Sequence, residues 1–292
     1  MKMEQLPRPI GYVFGGGGSR GAIQVGMLQA LSEHSILPDL VTGTSVGALN
    51  GAVVALDPKG SANRLSHLWA RITRDEVFPG GLLTQLRTLE HSRTHLFPNS
   101  GLSTVIERFF GDRLTFADLS LPFGAVTTDI ASGRAHVIEK GPLTSALLAS
   151  AAIPGIFPRV DRDGLILCDG GVVSNVPMGH AIAMGARSLI VLDCFPVGCL
   201  PGPQESLAEV LLSTVMIAMR APAASEATGV AEQVPVLYLP CSTSRVFSPL
   251  DFSYTAELIE SAYETTRPFL DSVDVAGPGL YGPSSEFENR WQ

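Results

Sequence analysis

The chain has 292 residues, 45% of them hydrophobic and 16% charged, a balance that suits one large folded α/β domain and excludes disordered, fibrous and low-complexity classes. With 20 Lys and Arg against 28 Asp and Glu its formal charge is −8, which repels phosphate polyanions and disfavours nucleic acid as a partner. The four cysteines (Cys168, Cys194, Cys199, Cys241) form no C-x-x-C pair, and neither they nor the six histidines take metal-ligand spacing, so they read as reduced thiols.

Residues 1–8 read as an N-terminal leader without the apolar run of a signal peptide, which makes the cytoplasm the default address. A strand over 9–14 runs into four glycines, Gly15 to Gly18, and apolar residues at helical spacing follow over 22–31. A second strand, 39–42, enters Gly43-Thr44-Ser45-Val46-Gly47 and an alanine-rich helix that Asp57-Pro58 ends. Residues 61–110 are helical with Pro/Gly interruptions and are the candidate cap or lid. Strands at 123–129 and 135–139 form a hairpin through Ser132-Gly133, a helix covers 143–152, and a strand at 165–168 stops at Asp169-Gly170-Gly171. A helix from about Pro177, a strand at 188–193, and a helix, strand and helix at 205–219, 234–240 and 252–270 complete a domain over 9–275. Residues 276–292 are expected to be a loose tail. Sustained strand–helix alternation predicts one α/β domain on a mainly parallel sheet. The longest apolar stretches, 43–56 and 207–219, fall short of the roughly 18 residues a membrane-spanning helix needs.

Chemistry concentrates at three strand ends. Gly16, Gly18 and Gly21 give G-x-G-x-x-G between a strand and a helix, where unpaired amides suit any anion, whether a pyrophosphate or a developing oxyanion. A dinucleotide site would need an acidic residue at the carboxyl end of the second strand. Asp39 has nearly the right spacing but precedes that strand's apolar residues. Gly43-Thr44-Ser45-Val46-Gly47 is a G-x-S-x-G between strand and helix, either a nucleophile elbow presenting Ser45 or a serine capping its helix. Asp169, at a strand end with two glycines behind it, could take the serine proton directly or merely bond its own turn. Of the histidines after Ser45 (His67, His91, His95, His136, His180), only His180 lies beyond Asp169, and it falls in a helix rather than in a loop after a late strand.

Taken together, GGGGSRG, GTSVG and DGG, each after a strand and in this order, resemble the signature of the patatin-like phospholipase family. The resemblance extends from Ile10 to Asp193 and includes the run 149–158 and the Thr128-Asp129 hairpin entry. It implies a three-layer α/β/α fold with a Ser-Asp dyad at the strand ends: Ser45 as nucleophile, Asp169 as general base, and an oxyanion hole from the glycine loop (Gly16, Gly17, Gly18) with Arg20 holding anionic charge or orienting the loop. Gly21, Gly43, Gly47, Gly170 and Gly171 are the motif glycines. Gly15 is a fourth glycine before the usual three, and Gly171 stands where many relatives have alanine.

The resemblance implies a lipid or simple ester as substrate, cleaved at the acyl bond through an acyl-enzyme without metal or cofactor. A lipid-binding module of the same fold with little turnover is the alternative. An acyl chain requires an apolar groove, for which Leu82, Leu83, Leu86 and Leu89 and the stretch 207–219 are candidates, although either could be ordinary core helix. Any membrane contact is expected to be weak and peripheral, given the negative charge and the lack of a basic amphipathic helix.

Overall fold

The computed structural model describes residues 6–111, 114–195, 207–241 and 248–282. In chain order the elements are β1 (Ile10–Phe14), α1 (Ala22–Glu33), β2 (Leu40–Thr44), α2 (Val46–Leu56), α3 (Ser61–Trp69), α4 (Arg74–Val77), α5 (Leu82–Ser92), α6 (Ser100–Phe110), β3 (Phe123–Asp129), β4 (Arg134–Ile138) and α7 (Leu143–Ser150). The second half carries β5 (Val160–Arg162), β6 (Leu165–Asp169), α8 (Met178–Ala183), β7 (Ser188–Leu192), α9 (Leu207–Ala231), β8 (Pro235–Tyr238), α10 (Thr255–Ser272) and β9 (Gly279–Tyr281).

The strands form one sheet in the order β5-β6-β3-β2-β1-β7-β8-β9, with β4 also on β3. From β3 through β9 neighbours run parallel, whereas β4, β5 and β6 are antiparallel additions. Alternation along the strands divides the core. Tyr12, Phe14, Ile190, Leu192 and Leu237 face a large cluster with α1, α2 and α10, while Val13, Leu189, Val191 and Val236 face a smaller one with α8 and α9. This is the expected α/β/α sandwich.

Two differences from the sequence reading have physical causes. Residues 279–281, expected in a loose tail, form β9, because the open edge of β8 offers unpaired backbone groups to an extended segment; residues 283–292 lie outside the described residues. The leader is partly anchored: Leu6 is buried, and Arg8 pairs with Asp39 at 2.7 Å. Its residues 1–5 are outside the described set, as is Cys199. Among the described residues no helix is long and apolar enough to cross a membrane.

Topology brings the two polar strand ends together. A strand has two edges, and β4 occupies one edge of β3 along 125–129. The other edge is shared: β2 pairs up to Val126 from one direction, and β6, running the opposite way, takes over at Thr127. Thr44 and Asp169 are thus the last residues of two strands that meet end to end, and Ser45 is the next residue after Thr44.

Candidate active site

Ser45 has φ +56° and ψ −127°, a left-handed, costly conformation for a residue with a Cβ and the mark of a sharp strand-to-helix turn. The turn is held from three sides. The Ser45 N–H donates to Ser150 Oγ (2.9 Å), which donates to Val126 O (2.6 Å), and Thr44 Oγ1 donates to Ser174 O (2.9 Å). Gly47 must be glycine, because a Cβ there would lie 2.5 Å from the carbonyl oxygens of Phe14 and Gly15. The side chain of Ser45 makes no hydrogen bond to cap α2, so the capping reading is set aside.

Asp169 is buried, with Oδ1 accepting the Gly171 N–H (2.8 Å) and its backbone carbonyl accepting Thr128 Oγ1 (2.9 Å). The turn bond is therefore present on one oxygen, while the other, Oδ2, has no hydrogen-bond partner among the described residues. Burial raises its pKa from 3.8 to about 6, while the neighbouring Ser45 hydroxyl and the Gly171 amide pull it down. The serine hydroxyl thus lies close enough to act on the carboxyl, yet no hydrogen bond of normal length and angle joins them. Loose contacts of this kind are common in sites without substrate. A Cβ on Gly171 would come within 2.8 Å of Asn175 Oδ1 and Met219 Sδ of α9, which accounts for glycine at this position.

The glycine loop is pinned on both sides of a gap. Gly15 N–H donates to Leu192 O (3.0 Å), Gly16 N–H to Asn175 O (3.2 Å) and Ser19 N–H to Pro249 O (2.9 Å). The amides of Gly17 and Gly18 find no acceptor among the described residues. This corrects the expected oxyanion set, since Gly16 spends its amide on Asn175. The fourth glycine, Gly15, is held rather than loose. Gly18 has φ +63°, and a Cβ there would meet Pro249 O at 2.5 Å. Arg20 is buried, its guanidinium 5.1 Å above the centroid of Phe195, and its backbone N–H donates to Gly17 O (3.3 Å).

From Ser45 and Gly18 a narrow cavity of about 60 Å³ leads in among α3, α4 and α6. Its walls are almost wholly apolar and include Leu49, Trp69, Phe78, Phe109, Phe157 and Phe252. The residues anticipated for this role are elsewhere. Leu83, Leu86 and Leu89 of α5 are 74%, 54% and 40% exposed, and on α9 Val210 and Ile217 face solvent while Met219 packs against the DGG turn. Among the described residues α5 has no buried side chain and nothing covers its leucine face, whereas Met219 is buried; the side chains of 207–209, 211–213, 215 and 216 lie outside the described residues. The side chain of Leu82 is outside the described residues.

The competing site residues fall away from this centre. Asp39 lies at the start of β2, opposite the glycine loop, and its oxygens are taken by Arg8 and the Ile10 N–H (2.6 Å). His180 is on α8 in the smaller core, half-buried, its pKa lowered by desolvation. Among the described residues no cluster of three or more His, Cys, Asp or Glu side chains could hold a metal ion.

Comparison with known proteins places the chain in a family. Residues 12–182 match the patatin-like phospholipase family, and the chain belongs to that family. It is 36% identical over 189 residues to patatin-like phospholipase domain-containing protein 7 of Mus musculus, and 33% identical over 195 residues to lysophospholipase nte1 of Aspergillus terreus. These matches cover 63% and 64% of this chain but only 13% and 12% of those relatives, so the chain spans a small part of their length. Among solved structures, VipD of Legionella pneumophila is similar with a TM-score of 0.49 at 15% identity, over 91% of this chain and 67% of that one. Human GIVD cytosolic phospholipase A2 gives 0.46 at 13% identity, over 93% and 59%.

Proposed function

We propose that this chain is a serine acyl hydrolase that cleaves acyl esters of lipids through Ser45 and Asp169. The observation that carries the reading is the convergence of Ser45, Asp169 and the two unengaged loop amides at one end of an apolar cavity.

An acyl chain fills the cavity, setting its carbonyl carbon before Ser45 Oγ and its oxygen towards Gly17 and Gly18. Asp169 Oδ2 takes the hydroxyl proton as Oγ attacks, and the two amides hold the tetrahedral oxyanion. The Asp169 proton then passes to the leaving alcohol or lysolipid, giving an acyl-Ser45 ester. Asp169 next takes a proton from water as the water attacks the ester, and returns it to Ser45 Oγ as the acyl–oxygen bond breaks, releasing the fatty acid and restoring the serine. A base with a pKa of about 6 is ionised at neutral pH and still basic enough to accept the proton. Arg20, braced on Phe195, fits the loop-orienting role better than direct contact with substrate. The chemistry calls on no metal or cofactor. Kinship with a relative named lysophospholipase supports phospholipids or lysophospholipids as substrates.

The test is hydrolysis of a medium-chain chromogenic ester and of a lysophospholipid by the protein, Ser45→Ala and Asp169→Asn, without added metal. Turnover by the parent and its loss in both folded variants is the expected outcome. An inactive parent that still binds lysophospholipid would replace this reading with that of a lipid-binding module of the same fold.

A further inference from the structure

Beneath the glycine loop lies a chain of buried amides that the mechanism above does not use. Gln24 of α1 donates both hydrogens of Nε2, to Gly15 O (2.8 Å) and to Leu192 O (3.0 Å). Its Oε1 accepts from Asn50 Nδ2 of α2 (2.8 Å), whose other hydrogen goes to Gly21 O (3.0 Å). Asn50 Oδ1 accepts from the indole N–H of Trp69 (2.9 Å). All three side chains are buried, and every amide hydrogen and carbonyl of the two carboxamides has a partner. Turning either amide over would set oxygen against oxygen, so the orientation is fixed by the network itself.

Two aspects of its placement distinguish this network from ordinary core satisfaction. It grips the glycine loop at both ends, Gly15 O and Gly21 O, on either side of the two unengaged amides. Four consecutive glycines have more backbone freedom to lose than any other tetrapeptide, so the direction of the Gly17 and Gly18 N–H bonds depends on pins outside the loop. Its far end is a wall of the acyl cavity: the Trp69 ring lines it and stacks on Phe252, centroids 6.1 Å apart.

We propose that Gln24, Asn50 and Trp69 are positioning residues for the oxyanion hole, a hydrogen-bonded frame that aims the Gly17 and Gly18 amides and fixes them relative to the cavity wall. The inference rests on the reading of Gly17 and Gly18 as oxyanion donors. None of the three touches the reacting atoms, so their removal acts on the transition state through the loop. A misplacement of the donors on the order of 1 Å is enough for roughly a 100-fold loss of rate.

The experiment compares Gln24→Met, which keeps length and volume but donates nothing, with the parent on a short-chain ester that does not reach Trp69. The expected result is a 10- to 100-fold lower kcat with KM changed less than about twofold, and affinity for a trifluoromethyl ketone, whose adduct places an oxyanion in the hole, lowered by the same factor as kcat/KM. Trp69→Phe, which removes the indole N–H at the far end together with part of the ring lining the cavity, is expected to lose about 3- to 10-fold in kcat on the short-chain ester; it carries the test, through kcat and ketone affinity together, if Gln24→Met does not fold. Unchanged kcat in the folded variants, or a loss without loss of ketone affinity, overturns the proposal. Hydrogen exchange of the Gly15 and Gly16 amides is read in parallel and needs no turnover. Faster exchange in Gln24→Met supports the frame even if the parent hydrolyses nothing, in which case the functional reading fails alone, and unchanged exchange removes the frame.

Discussion

At the rim of the sheet, Ser45, Asp169 and the glycine loop are each held by hydrogen bonds from named backbone and side-chain groups of neighbouring elements. In the helical segment α3 to α6, the buried side chains that face the same cavity are held mainly by apolar contact: Trp69 on Phe252, Phe78 on Phe97 and Phe157, and Leu102, Val105 and Phe109 along one side of α6. The difference is one of tolerance. Directional bonds fix atoms to within tenths of an ångström, as proton transfer requires, whereas apolar packing fixes a volume and accepts exchange among side chains of similar size. Trp69 joins the two, its ring packed on Phe252 and its indole N–H bonded to Asn50.

That division can be broken from either side. At the rim, Asp169→Asn should lower kcat by roughly 10²- to 10⁴-fold while circular dichroism stays that of the parent; retention of rate would remove the carboxylate from the mechanism. Next in size is the pH profile. With Asp169 titrating at about 6, kcat/KM is expected to fall about tenfold per pH unit below that value and to level off above it, and a flat profile down to pH 5 would show that no such base acts. In the helical segment, Phe78→Leu should reduce kcat/KM for a long-chain ester by about tenfold while leaving an acetate ester within about twofold. Equal losses on both esters would mean that this segment also shapes the rim. Smallest is Leu83→Ser with Leu86→Ser on the exposed face of α5, where thermal denaturation should show a change within about 0.5 kcal/mol.

How much of this was legible in sequence follows the same division. Short motifs after strands exposed Ser45, Asp169 and the glycine loop, because a serine or aspartate at a strand end must sit at the sheet rim whatever the rest of the fold does. Which amides remain unengaged could not be read, since Gly16 is occupied by Asn175, more than 150 residues away. Gln24, Asn50 and Trp69 went unremarked, although a lone amide in the alanine-rich α2 was a signal: a carboxamide surrounded by apolar neighbours must find partners or destabilise the core. The leucines of α5 misled because period shows that a helix has an apolar face, not what covers it. β9 was missed because three residues of an edge strand carry too little pattern.

Ser45, left-handed, and Asp169, a carboxylate kept in the dark of the core, have a bearing on how this sequence can change. Glycine adopts the elbow conformation freely, so Ser45→Gly should relieve about 1–3 kcal/mol of backbone strain. For Asp169, whose folded-state pKa lies above its unfolded value, the favourable contribution is complete below pH 3.8 and is lost as pH rises through about 6. At neutral pH its buried charge therefore costs on the order of 3 kcal/mol, a cost that exchange to Asn removes. Thermal melts above pH 7 would show both variants sturdier than the parent. A selection for folding yield alone would then drift away from both residues, and with them from the proposed turnover.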